Sequence, residues 1–161
     1  LPQIVQAAQG RPVLGAGGIA TGGQVVACLA MGAQGGWLGT LWMAARESHT
    51  PPHLLRRLID GGSEDTVITR AHSGKPCRVI RSPWIDAWAS DEAPAPLGMP
   101  AQQALTGDVF AAMFEHDDAG TIYEAAGQSV FGIRGPSTVA QQMDALVAEA
   151  EAALAALSGT V

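Results

Sequence analysis

Apolar residues recur along this chain in two rhythms. Leu1, Ile4, Val5 and Ala8 share one helical face, and Gly10 closes that helix. Residues 12–16 (PVLGA) are short, apolar and β-branched at Val13, the pattern of a buried strand. The turn Gly17-Gly18-Ile19-Ala20 follows. Thr21 and Gln24 then stand at capping-box spacing. Val25, Val26, Leu29 and Ala30 are expected to face inward along a helix, with Gly32 placed for its left-handed end. Residues 35–40 (GGWLGT) read as a second buried strand. The order helix, strand, helix, strand predicts a right-handed parallel βαβ unit over residues 1–40.

The rhythm changes after Thr40. A short helix over 51–60 opens at Pro51-Pro52 and carries Leu54, Leu55 and Leu58. Gly61-Gly62 ends it. Residues 66–69 and 77–80 look like two strands around a turn at Ser73-Gly74. The stretch 90–100 holds Pro94, Pro96 and Pro100 and reads as a loop. Residues 101–116 predict a helix with Leu105, Val109, Phe110 and Met113, and 121–133 fit no single pattern. The last helix begins at the capping pair Thr138 and Gln141. Its expected inward stripe is Val139, Met143, Leu146, Val147, Ala150, Leu154 and Leu157.

Composition narrows the function. Of 161 residues, 47% are apolar and 15% charged, which excludes a disordered chain and supports a packed core. A net charge of −6 without a Lys/Arg run excludes a nucleic-acid or anionic-membrane surface; Arg78 and Arg81 do not make a basic patch. No apolar run approaches the ~18 residues of a membrane span. Cys28 and Cys77 form no disulfide framework, Cys28 reads as a small core residue, and the cytosol is the expected setting.

The chemistry concentrates at glycine. Residues 15–20 fit G-x-G-x-x-A between a strand and a helix, which suggests a dinucleotide site. The acidic residue expected ~20 positions later is missing, since GGWLGT stands there. More informative is that two consecutive strand ends both carry glycine, at Ala16-Gly17-Gly18 and Gly39-Thr40. Parallel strands end on the same side, so both turns bring backbone N–H groups to one corner, where glycine lets a phosphate approach. A helix N-terminus there adds a favourable dipole. In (β/α)8 barrels the turns after the last two strands form the usual phosphate site. The competing explanation is that these glycines only allow tight turns and close helix–sheet packing.

PVLGAGGIATGGQVVACLAMGAQGGWLGTLWMAARES resembles the FMN phosphate region of the nitronate monooxygenase (2-nitropropane dioxygenase-like) family. That region reads P-V-I-A-A-G-G-I, then A-L-A-x-G-A-x-G-V-x-x-G-T-R-F-x-x-x-x-E-S. Asp65-Thr66-Val67 with Ser73-Gly74-Lys75-Pro76 and Arg78 is similar to the family's D-T-V…S-G-R-P-A-R. Ala126-Gly127-Gln128-Ser129 with Gly132-Ile133 is similar to its A-G-Q-S-x-G-x-I. The resemblance implies an α/β chain forming the C-terminal part of an FMN-binding (β/α)8 TIM barrel, with a smaller, mostly α extra domain. The implied division is 1–48 for the last βα units, 49–120 for the smaller domain, and 121–161 for a return segment and C-terminal helix. Ala16, Gly17, Gly18, Gly39 and Thr40 are implied to hold the FMN phosphate, with Gln128 near the flavin.

The implied activity is an FMN-dependent oxidoreductase that oxidatively denitrifies alkyl nitronates with O2. An NAD(P)H-dependent flavin enoyl or enone reductase shares these motifs and is the alternative. A non-catalytic module binding a phosphate ligand is the third possibility. Two departures stand out. Leu41-Trp42 replaces the family's usual Arg-Phe, so a positive charge is gone and Trp42 compensates only by packing. The first six strands of the barrel also have no counterpart here, and the family's catalytic His belongs to them; His49, His53, His72 and His116 do not take its role. Leu1 lies inside a helical pattern with no cap. The expected partners are therefore a small-molecule substrate and the missing N-terminal half of the barrel, as a separate chain or a removed segment.

Other candidates read as ordinary structure. His49 and His53 have the spacing of two metal ligands on one helix, but Pro51-Pro52 interrupts it and no third ligand is evident. His116-Asp117-Asp118 reads as a solvated loop before Gly120. Ser129 lacks the second glycine of G-x-S-x-G and any triad partners. Trp37, Trp42, Trp84 and Trp88 read as packing residues, Trp42 being best placed to border a ligand.

Overall fold

A computed structural model describes residues 1–159. In chain order the elements are α1 (Pro2–Ala7), β1 (Leu14–Ala16), α2 (Gly22–Ala30), β2 (Gly35–Trp37) and α3 (Pro52–Asp60). They continue with β3 (Thr66–Thr69), β4 (Cys77–Ile80), α4 (Pro83–Trp88), α5 (Ala101–Glu115) and α6 (Val139–Ser158). The chain is α/β and divides into two units, Leu1–His49 with the stretch from Gly132 onward, and Thr50–Phe131. The second unit thus continues past residue 120.

In the first unit β1 and β2 pair in parallel, with Leu14 beside Gly35, Gly15 beside Gly36 and Ala16 beside Trp37. The expected strand to Thr40 stops at Trp37, because the backbone leaves the extended region at Gly39 (φ −116°, ψ −70°) and Thr40–Ala44 coil into a 3-10 turn. Gly15 and Gly36 face α2. A Cβ on Gly15 would lie 2.6 Å from Cys28 Sγ, and one on Gly36 3.2 Å from Val25 Cγ2. Glycine therefore lets α2 lie close on the sheet. Alternation sends Leu14, Ala16 and Trp37 to the opposite face, where Leu14 is 46% and Trp37 67% exposed.

Thr21 and Gln24 form the expected capping box, and Gly32 is left-handed at φ 89°. The buried residues of α2 are Gly22, Val26 and Cys28. Leu29 and Ala30 are exposed instead of inward, because a sheet two strands wide offers nothing beneath that side. The other flank of α2 meets α6. A Cβ on Gly22 would stand 2.1 Å from Leu146 O and 2.4 Å from Ala150 N, so the backbones touch where only glycine fits. The expected stripe of α6 is divided by this contact. Leu146 and Ala150 are half-buried, whereas Val139, Met143, Val147, Leu154 and Leu157 are exposed.

The second unit has the denser core. The largest fully buried side chains among the described residues belong to it, including Leu54, Leu58, Ile80, Ile85, Ile122 and Tyr123. β3 and β4 form the expected antiparallel hairpin. The patternless segment after 120 lies along β4, with Ile80 N–H donating to Glu124 O and Ala126 N–H to Arg78 O. Tyr123 is buried against His72 and Phe110, and its hydroxyl lies 3.2 Å from His72 Nδ1.

Two predictions follow from this packing. Gly22→Val forces the α2 and α6 backbones apart and is expected to cost about 2 kcal/mol or more. Thermal melting and hydrogen exchange across α6 check it; unchanged protection of α6 contradicts the contact. Burial, with Glu124 nearby, pushes the Tyr123 phenol from its ordinary 10.0 up to about 12. The unfolded phenol then ionises first, so its contribution is complete below pH 10 and is lost as pH rises toward 12. Relative to Tyr123→Phe, the natural chain should lose about 2 kcal/mol by pH 12, read from denaturant melts at several pH values. Parallel curves for the two proteins would contradict it.

Candidate functional site

The parallel register places Ala16 and Trp37 side by side at the C-terminal edge of the sheet. The turns that leave them therefore emerge together. Ala16 is exposed, Gly17 (φ 92°) and Gly18 (φ 73°) are left-handed, and Thr40 is buried at the head of its 3-10 turn. The turns carrying Gly17-Gly18 and Gly39-Thr40 thus leave the same edge of the sheet, beyond the paired Ala16 and Trp37.

The glycines separate into kinds. Gly15, Gly22 and Gly36 are crowded by neighbouring atoms, whereas a Cβ on Gly17, Gly18 or Gly39 would meet nothing within 4 Å. Gly17 and Gly18 are explained by their left-handed backbone. Gly39 is not, since φ is −116° there. A Cβ at Gly39 would thus meet neither a left-handed backbone nor a crowding neighbour within the chain.

The expected dipole of α2 is already occupied, which corrects one part of the phosphate argument. Gly22 N–H donates to Glu149 Oε2 at 2.8 Å. Gln24 Oε1 accepts from the N–H groups of Ala20 (2.7 Å) and Thr21 (3.1 Å). The chain's own carboxylate and amide therefore satisfy the helix start. What the corner offers a ligand is the turn backbone and the head of the 3-10 turn. Gln24 does more than cap, because its Nε2 also donates to Gly18 O at 3.1 Å and fixes the turn's shape. Its position after Thr21 hints at the capping role only. Glu149 carries no sequence signal, being 127 residues from its partner.

Leu41 is buried. Trp42 does more than pack, as its Nε1–H donates to Leu38 O at 2.8 Å. This holds the turn after β2 and ties the indole down. Gln128 belongs to the second unit, is exposed, and accepts at its carbonyl from Ser63 Oγ at 2.8 Å. The motif around Asp65 and Arg78 is structural. Arg78 Nη1 donates to Thr66 O and Oγ1, both at 3.0 Å, and a Cβ on left-handed Gly74 would lie 2.5 Å from Leu97 O.

His49 is left-handed outside α3, His53 pairs with Asp117 at 2.9 Å, and no cluster of three His, Cys, Asp or Glu side chains suited to a metal occurs among the described residues. Trp84 and Trp88 pack edge-on with centroids 6.0 Å apart. No helix among the described residues is long and apolar enough to cross a membrane.

A parallel βαβ unit with paired glycine turns at one sheet end defines an α/β protein built around an open backbone corner. The nitronate monooxygenase family model matches residues 1–149, and the chain belongs to that family. It is 45% identical over 108 residues to "Putative monooxygenase Rv1533" of Mycobacterium tuberculosis, covering 67% of this chain and 29% of that protein. It is similar to a nitroalkane oxidase from Streptomyces ansochromogenes, with TM-score 0.82 and 32% identity over 98% of this chain and 45% of that one. FabK from Thermotoga maritima gives TM-score 0.82 and 29% identity over 99% of this chain and 50% of that one. The chain thus spans half or less of the length of these proteins.

Glu149→Ala removes the carboxylate on the α2 start. It is expected to cost about 1 kcal/mol and to speed exchange of the Gly22 amide. Unaltered exchange at Gly22 would show that the bond contributes nothing.

Proposed function

We propose that this chain is the C-terminal, phosphate-holding part of an FMN-dependent oxidoreductase that oxidises alkyl nitronates with O2. The observation that carries the reading is Gly39, whose ordinary φ and empty surroundings leave an approaching ligand as the reason for glycine. The corner fits a phosphate, since Gly17, Gly18 and Gly39 leave the turn backbone uncovered by any side chain of their own. Ala16, Gly17, Gly18, Gly39 and Thr40 hold the phosphate. Bound flavin supplies the redox chemistry. The chain's part is to fix the cofactor.

The remaining barrel, on the same polypeptide or a separate one, completes the fold. β1 pairs on one edge with β2. Alongside runs an apolar groove of ≈ 500 Å³ lined by Leu1, Ile4, Val13, Leu14 and Met31 among others. Leu14 and Trp37 face outward where a closed barrel has its interior. By the family resemblance, the group that abstracts the substrate proton belongs to that remaining part.

The test uses the natural polypeptide that carries this chain. Purified, it should show flavin bands near ~370 and ~450 nm, and Gly18→Asp should lose most of them through bulk and negative charge at the phosphate. Nitronate-dependent O2 uptake without NAD(P)H supports the reading. A strict NAD(P)H requirement with an enone or enoyl thioester replaces it with the reductase, and flavin binding without turnover of either substrate leaves a binding module. Unchanged flavin content in Gly18→Asp removes the phosphate from this corner.

A further inference from the structure

We propose that the Trp37 indole forms an aromatic wall of the flavin-ring pocket, an inference that rests on the flavin reading of the glycine corner. Trp37 is 67% exposed, unusual for the largest apolar side chain. It is the last residue of β2, lies beside Ala16, and stands on the sheet face opposite α2. Its direct neighbours on that face are small, Ala16 across the ladder and Gly35 before it on the strand, with Leu14 diagonally across, and the indole remains exposed. At the rise of a strand it sits about 7 Å back from Gly39. A flavin whose phosphate were held at Gly39 and Gly17-Gly18 would have Trp37, at the same sheet end, within reach of its ring. Trp42, the other tryptophan at this end, is already held by the Leu38 carbonyl.

A flat electron-rich indole beside a flat electron-poor flavin ring gives offset or edge contact, and pockets for such ligands are lined by aromatic groups. Trp37 is therefore a positioning residue. It limits where the ring settles and narrows the space left for substrate beside it.

An indole in contact with a flavin quenches flavin emission by excited-state electron transfer, so the test needs no turnover. In the natural polypeptide carrying FMN, Trp37→Phe should keep the visible flavin band while its flavin emission rises several-fold. Trp88→Phe should leave the emission near the natural level. Flavin emission that stays unchanged in Trp37→Phe with the band retained overturns the wall and leaves the flavin site standing. Absence of the band in the natural protein overturns the flavin reading, and the wall with it. Should Trp37→Phe fail to fold, Trp37→Leu is read in the same way: emission that rises with the band retained supports the wall, and unchanged emission with the band retained overturns it.

Discussion

Parallel pairing of β1 with β2 is the constraint on which the rest of the first unit depends. Because Ala16 and Trp37 end their strands side by side, the two glycine turns leave from one edge. An antiparallel pair would have sent them to opposite ends. The pairing also sets which residues meet α2. Gly15 and Gly36 are opposite each other on the helix side, so the sheet presents α2 with a shallow surface and the crossover stays short. Leu14 and Trp37 then have no choice of face, since side chains alternate along a strand. Their exposure is a consequence of where the glycines had to be.

Much of this was legible from sequence, because local rules govern it. The capping boxes at Thr21 and Thr138, the left-handed end at Gly32, the hairpin around Gly74 and the βαβ order all depend on residues close together in the chain. Burial was less legible. Leu29 and Val147 have the periodicity of a core face, but periodicity reports which residues are suited to burial and not whether a partner is present. Ile122 and Tyr123 are fully buried in a segment with no pattern, since their burial comes from lying along β4, more than forty residues away. The candidate corner was readable as a motif. Of its two most instructive contacts, Glu149 on Gly22 joins residues 127 apart and carried no signal, whereas Gln24 on Gly18 is local and was legible only as a cap.

The two units differ in how completely they bury themselves. The second encloses Leu58, Val79, Ile122 and Val130 completely and closes over its hairpin with α3 and α5 residues such as Leu54 and Met113. The first leaves apolar groups exposed on the sheet face and along α6. The family membership and the partial span of the relatives' length accord with the proposal that the first unit is part of a barrel, since a barrel part needs further strands to remove apolar surface from water.

The occupied start of α2 sharpens the argument for the corner. A helix N-terminus is a ready anion site only while its N–H groups lack partners. Here an acidic side chain from α6 takes the Gly22 amide and the Gln24 amide takes those of Ala20 and Thr21. On the proposed function, recognition at this edge would then fall to backbone geometry more than to the start of α2. Leu41 in place of the family's usual arginine points the same way, because this chain supplies no charge at that position. The proposed phosphate would be held here by close approach, for which Gly39 leaves room, and the turn beyond it is held by the Trp42 indole on Leu38.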